Sequence, residues 1–388
     1  MLNKDEYQTL EGVRVIEICN VAAGPFCGML LADMGAEVIK IEPLKGDMLR
    51  QWPPITEGFS ENFSSLNRNK KSIALNLKDD DDRCIAEELI ASADVLIENN
   101  RPGVMSRLGL SYDAVSTTNP ALVYCSLSAF GQEGPRANEG GFDVTLQAMS
   151  GIMSVTGEVE REPAKCGVPV ADFSSGLYAA FAVTSMLRQV QNTGQGGYID
   201  VPMLGVCLAI SALQTSEYFG TGKDPLPLGS AHPRNAPYQG FRARDKHFVV
   251  AAGNNNLWEK LCDVVGLTDL VHDPRFESNT KRAVNQAELK QILEAEFMKE
   301  DAALWLQRFE DAGVPCSSIN KFSEALTDAQ VEYAGWVSDL TMPNGQTTRT
   351  FGSPLSINGI NPPIRFGPPA LDEHRESILA GLRKTQTI

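Results

Sequence analysis

The apolar positions of the first 130 residues fall into short runs of two alternating kinds. Val13–Ile18 (VRVIEI), Glu37–Glu42 (EVIKIE), Asp94–Glu98 (DVLIE) and Leu122–Leu127 (LVYCSL) are rich in strand-forming residues, and Ile73, Leu75 and Leu77 alternate as one strand face. Between the first two runs, Pro25 suits a first helical turn. Phe26, Leu30, Leu31 and Met34 then make a helical stripe, which Gly35 ends as a left-handed cap. Strand, helix and strand within about thirty residues predict a βαβ unit with a right-handed crossover. Asp79–Asp82 precede the helix RCIAEELIAS, where acids complement the N-terminus; they read as capping, not as a metal site. The pattern predicts a doubly wound α/β domain with ligands at the carboxyl ends of its strands.

From Phe142 the period becomes helical through FDVTLQAMSGIM and DFSSGLYAAFAVTSMLRQV, and again, after YIDV, through PMLGVCLAISALQTSEYF. Gly220–Pro237 is dense in glycine and proline and reads as a linker. Beyond it, Gln239–Ala252 predicts a hairpin turning near Arg244–Lys246. Helices follow around Leu257–Val265, Glu288–Met298 and Ala302–Ala312. A second hairpin is expected at Pro343-Asn344-Gly345, and a proline-rich tail leads to a last helix.

Charge narrows the possible partners. The 388 residues carry 34 basic and 49 acidic side chains, a net charge of −15, which argues against a nucleic-acid or anionic-membrane surface. Eight cysteines are scattered with no C-x-x-C pair, unlike a zinc knuckle or a small disulfide scaffold. The N-terminal MLNKDEYQTLEG has no apolar signal core, and apolar stretches such as LYAAFAV are too short to span a bilayer. A soluble, cytoplasmic protein is expected.

Four segments could carry chemistry. The first βα loop, Asn20–Pro25, could present backbone N–H groups to a phosphate or nucleotide, and Glu42 ends the second strand where a ribose-binding acid would stand. The G-x-G-x-x-G fingerprint is absent, since Gly24 and Gly28 stand alone, so a nicotinamide dehydrogenase is disfavoured and Gly24 reads equally as a turn residue. Asn67–Lys78 holds Arg68, Lys70, Lys71 and Lys78 with no acid. It is either an anion site or a solvated basic edge. In Gly167–Gly176 (GVPVADFSSG), Asp172 reads either as the N-cap of the next helix or as a carboxylate nucleophile, with small Ser174, Ser175 and Gly176 leaving room for an electrophile. His232, His247, His272 and His374 show no ligand spacing and no G-x-S-x-G elbow is present, so metal and serine-hydrolase sites lack support.

Taken together, eight segments in order resemble the class III (CaiB/BaiF-type) CoA-transferases. They are VRVIEICNVAAGPFCGMLLADMGAEVIKIEP, GDMLR, NRNKKSIALNLK, DVLIENNRPGVMSRLG, GFDVTLQAMSG, GVPVADFSSG, HPRNAPYQGF and GPPALDEH. The resemblance implies an α/β fold with a Rossmann-like CoA-binding domain over 1–200, a helix and Pro/Gly linker over 201–238, a small α+β domain over 239–330, and a return linker and C-terminal segment over 331–388 packing on the large domain. It also implies an interlocked homodimer, and acyl-CoA and a small carboxylic acid as substrates with no permanently bound cofactor. Asp172 matches the family's catalytic aspartate, which attacks the thioester to form an aspartyl–acyl anhydride and then an aspartyl-CoA thioester. By position, Val21, Ala22 and Ala23 would line the CoA thiol arm, and Leu75 and Lys78 the adenine end. Asn99, Asn100, Arg107 and Leu108 would form the next CoA-contacting segment, with Met203 near the acyl end.

Some positions depart from the family pattern. Basic residues of some members fall on Pro43 and Gly140, for which Lys45, Arg50 or Arg68 could compensate. The polyglycine lid of formyl-CoA transferases is replaced by Gly253-Asn254-Asn255-Asn256, which disfavours oxalate/formate exchange. The α-methylacyl-CoA racemases of the same fold need a histidine where Phe142 stands, so that reading ranks below the transferase. A non-catalytic acyl-CoA-binding subunit is the third reading, weakened by an intact Asp172. Phe142, Tyr238 and Trp258 are candidates for an acyl pocket.

Overall fold

A computed structural model describes residues 8–385, with side chains as far as Leu382; Met1–Tyr7, part of the segment read above for a signal core, lies outside the described residues. The chain divides into two compact units. One comprises 1–152, 165–223 and 330–388, and the other 153–164 and 224–329. Residues 153–164 lie inside the stretch read from sequence as the large domain, yet they belong to the second unit.

The larger unit is built on a six-stranded parallel sheet. Its strands are β1 (Arg14–Ile18), β2 (Glu37–Glu42), β3 (Lys70–Ala74), β4 (Val95–Glu98), β5 (Val123–Ser128) and β6 (Gly197–Pro202), in the order β3-β2-β1-β4-β5-β6. Successive side chains face opposite layers. Val15, Val38, Val95 and Val123 enter one core, while Ile16, Ile39, Leu96 and Tyr124 enter the other. Both faces are therefore apolar, which is why these strands read as unbroken runs. Helix α1 (Ala23–Asp33) follows β1, and α2 (Glu61–Asn67) precedes β3. Helix α3 (Asp80–Ala91) begins at Asp79, whose carboxylate accepts from the Asp81 and Asp82 N–H groups, as the acidic run predicts.

Several boundaries differ from expectation. Strand β3 is Lys70–Ala74, so Leu75 and Leu77 fall beyond it. Helix α4 is Val104–Arg107, and α5 (Asp143–Met149) precedes the 24-residue α6 (Val170–Thr193). Helix α6 has the length and apolar composition of a bilayer span, contrary to the estimate from LYAAFAV. Ala171, Ser175, Gly176, Ala179 and Val183 nevertheless bury one of its faces in the unit's core. The long helix expected after β6 breaks at Ser211 into α7 (Met203–Ile210) and α8 (Ala212–Thr221). The Asn344-Gly345 hairpin forms as expected, between Val337–Thr341 and Thr347–Phe351, with Gly345 at φ +82°.

The second unit carries an antiparallel three-stranded sheet of Tyr238–Arg242, His247–Ala251 and Cys316–Ser318. Phe241, Phe248, Phe297, Trp305 and Phe309 cluster against it. Trp258, a candidate pocket residue, is buried in this core, with the Arg282 guanidinium 5.2 Å from its ring.

Candidate active site

The sheet order reverses between β1 and β4, since β2 and β3 lie to one side and β4, β5 and β6 to the other. A doubly wound sheet opens a crevice at such a point. Here the loops after β1 and β4 are tied together: Asn99 accepts from the Asn20 N–H and donates to the Asn20 carbonyl, each at 2.9 Å. Asn100 donates to the Ile18 carbonyl. Above them lies a cavity of about 630 Å³, large enough for a small organic group and its tether. Its wall includes Val21, Ala22, Ala23, Asn99, Asn100, Asp172 and Met203, so seven of the residues predicted from sequence converge on one opening.

The remaining four do not line it. Leu75 is 2% exposed within the second hydrophobic layer, and Leu108 packs against that layer. Lys78 and Arg107 are exposed. Of the three aromatic candidates, Phe142 lines the cavity and is 75% exposed. It has no proton to move, which weakens the racemase reading.

Asp172 is not the cap of α6. Pro169 occupies that position and offers neither a side-chain acceptor nor an N–H. The acceptor comes instead from α5, where Asp143 Oδ1 takes the Ala171 N–H at 2.9 Å; Gln147 steadies the other oxygen at 2.7 Å. Asp172 is thereby left free in the first turn, near the positive end of the helix. Among the described residues no side-chain hydrogen bond or ion pair reaches its carboxyl. Burial, with the charge of Asp143 second, pushes it up to about 6. Such a group is about nine-tenths ionised at pH 7 and more basic than an ordinary aspartate, which suits a nucleophile.

The small residues after Asp172 act otherwise than expected. Ser174 and Ser175 donate to carbonyls one turn back, at Val170 and Ala171. Gly176 lies against α1: a Cβ there would meet the Ala23 carbonyl at 2.8 Å and the Phe26 ring at 2.9 Å. Its role is close approach of α6 to α1, which brings Asp172 beside the first loop.

Three of the four cations in the basic stretch 67–78 are already paired, and Lys78 alone is exposed. Arg68 is paired with Asp33 at 2.6 Å, Lys71 with Glu37 at 2.6 Å, and Lys70 is fully buried against Glu17 at 2.8 Å. Arg50 pairs with Glu42 at 2.6 Å, which removes Glu42 as a ribose ligand and Arg50 as a compensating cation. Sequence reasoning missed Arg101. It is the one cation among the described cavity-lining residues, and its guanidinium lies over Gly140, 2.9 Å from where a Cβ would stand. It also missed Asp143, whose partner is 28 residues away. The quoted GFD segment held the only signal.

Residues 10–375 match the profile of CoA-transferase family III. The chain is 38% identical to the succinyl-CoA:glutarate CoA-transferase of Mus musculus, over 97% of this chain and 86% of that one. It is 40% identical to the acetyl-CoA:oxalate CoA-transferase of Acetobacter aceti, over 96% and 95% respectively. A crystal structure of a CaiB/BaiF family protein from Brucella suis superposes with a TM-score of 0.87 at 35% identity, covering 97% of this chain and all of that one. With an α/β fold, a switch-point cavity and relatives named for this chemistry, the chain belongs to CoA-transferase family III and is an acyl-CoA:carboxylate CoA-transferase.

Proposed function

We propose that Asp172 is the covalent nucleophile and that the acids exchanged are small dicarboxylates. The carrying observation is the Asp172 carboxyl itself, unpaired, held at about 6 and opening onto the cavity formed with Val21–Ala23. In the first step its oxygen attacks the thioester carbonyl. A mixed anhydride forms and CoA leaves as thiolate. The thiolate then attacks the aspartyl carbonyl, releasing the donor acid and leaving an aspartyl-CoA thioester. The acceptor carboxylate attacks that thioester, expelling CoA and forming a second anhydride. Attack of CoA on its acyl carbonyl gives the new acyl-CoA and regenerates Asp172. No metal or redox partner is required.

The dicarboxylate class is supported by Arg101, the cation in a wall that otherwise carries Glu139, Asp143 and Asp172. Such a guanidinium matches the second carboxylate of a short diacid. The relative named for oxalate, at 40% identity, removes the force of the missing polyglycine as an argument against that acid. A second copy of the chain as partner is supported by an apolar face on α6, where Phe181 is 71% exposed beside exposed Leu177 and Tyr178. Eight unpaired cysteines support a reducing, cytoplasmic setting.

The test is intact-mass analysis after incubation with a panel of acyl-CoAs, with hydroxylamine trapping, followed by turnover against mono- and dicarboxylate acceptors. An adduct on Asp172 and faster turnover with diacids are expected. Turnover by Asp172→Ala at the wild-type rate would overturn the nucleophile, and a preference for monocarboxylates the substrate class.

A further inference from the structure

Beneath the cavity's first loop lies a cluster that the chemistry above does not use. Glu17, Lys40, Asp47 and Lys70 are all fully buried. Lys40 Nζ stands 2.9 Å from Glu17 and 3.0 Å from Asp47, and Lys70 Nζ stands 2.8 Å from the other oxygen of Glu17. Gly28 makes room for it, because a Cβ there would fall 1.9 Å from Glu17 Oε2. Four ions withdrawn from water are a costly way to fill a core that apolar side chains could fill. Apart from a bond from Lys70 to the Asn67 side chain at 3.0 Å, their side chains make their remaining hydrogen bonds to the backbone of the first loop and its flanks and of the turn beside it.

Lys40 donates to the Cys19 carbonyl at 2.8 Å, just before the loop. Lys70 donates to the Pro25 carbonyl at 2.8 Å, in the first turn of α1. Between them, both oxygens of Asp47 accept from the Val21 N–H, at 3.1 and 3.2 Å. Val21 has φ +66°, a left-handed conformation that a β-branched residue adopts only when its surroundings impose it. Asp47 also accepts from the Leu49 N–H at 2.9 Å, capping the turn Met48–Gln51. Met48 and Leu49 line the same cavity as Val21. One carboxylate thus holds two walls of the cleft.

Resting on the reading of this cleft as the CoA-thioester site, we propose that the cluster is a three-point clamp on the first loop. In it Asp47 is the positioning residue that keeps Val21 in its left-handed conformation for the incoming thioester. The cluster's charges give the clamp its rigidity: Asp47 cannot turn away from Val21 without abandoning Lys40. Val21 is a defined point of failure, because glycine would take the same φ without imposed support.

The experiment compares wild type, Asp47→Asn, Val21→Gly and the double variant by amide hydrogen exchange over residues 20–23 and by steady-state kinetics with acyl-CoA. Asp47→Asn is expected to speed exchange at Val21 and to raise KM for acyl-CoA about tenfold, with kcat within about threefold. Adding Val21→Gly is expected to return KM to within about threefold of wild type. A merely structural Asp47 would lower the active fraction, and with it the apparent kcat, leaving KM unmoved and Val21→Gly without effect. Should Asp47→Asn not accumulate as folded protein, Lys40→Met/Asp47→Asn leaves the cluster neutral and carries the same comparison. Unchanged exchange at Val21, or no rescue of KM, would overturn the clamp. Absence of acyl-CoA binding by wild type would instead overturn the reading of the cleft, and the exchange result would still decide the clamp.

Discussion

Glu17 and Asp172 are carboxylates withdrawn from water within the same unit, on either side of the first loop, and their surroundings differ in kind. Glu17 meets an ammonium at each oxygen. The Lys40 it holds is raised well above the usual lysine range, since Glu17 and Asp47 outweigh a burial that alone would lower it. Asp172 meets no cation. Burial and the like charge of Asp143 both raise it, and its open side faces the cavity. Compensated charge makes a rigid scaffold. Uncompensated charge at the edge of a cavity makes a nucleophile whose ground state is held high.

The sharpest way to break this comparison is to remove each anchor. Asp172→Ala is expected to lower turnover by at least about 10³-fold, roughly 4 kcal/mol of barrier, with CoA affinity retained. Lys40→Met leaves Glu17 with Lys70 alone and takes from Asp47 the cation it is paired with, and is expected to cost about 3–5 kcal/mol of stability, the range for a broken buried pair. Thermal unfolding checks it. A change below about 1 kcal/mol would mean that the cluster's pairing contributes little to the fold.

The two regions also differ in how far the sequence discloses them. The strands are legible because their faces are apolar on both sides, and Glu37–Glu42 has the predicted bounds. Asp172 is legible as a candidate from its place before a helix, but its freedom is not, because the cap comes from Asp143 across 28 residues. The clamp is illegible for the same reason. Lys70 pairs with Glu17 at a separation of 53 residues, so the local run 67–78 looks like a patch with no acid. Charged residues at the start of β3 likewise displaced the predicted strand toward Leu75 and Leu77. Periodicity reports burial along one element, whereas counter-ions arrive from others.

If Asp172 is truly uncompensated, neutralising it should stabilise the protein while it removes activity. Its native value of about 6 against an ordinary 3.8 means that the folded state holds its proton more tightly than the unfolded one. Stability is therefore lost as pH rises from about 4 to 6 and stays lost above. Two pKa units correspond to roughly 3 kcal/mol, and partial exposure brings the expectation to about 2 kcal/mol. Asp172→Asn is expected to raise the unfolding temperature at pH 8 and to lose that advantage near pH 4. A gain that persists at pH 4 would assign the effect to packing.

The smallest effect separates burial from the neighbouring charge. Asp143→Asn keeps one oxygen to accept the Ala171 N–H, so the first turn of α6 retains its cap, while its amide NH2 replaces the oxygen that accepts from Gln147 and that bond is given up. It also removes the negative charge that, after burial, helps to raise Asp172. The acid limb of kcat/KM, expected near pH 6 in wild type, should then move to lower pH, because the Asp172 carboxylate forms more readily. At pH 7 the rate should change little, since the group is already largely ionised there, and a less basic carboxylate offsets any gain in the ionised fraction. Below pH 6 the variant should outpace wild type. An acid limb that stays in place would leave burial as the sole cause, and one that moves upward would show that Asp143 holds the carboxyl by geometry instead of by charge.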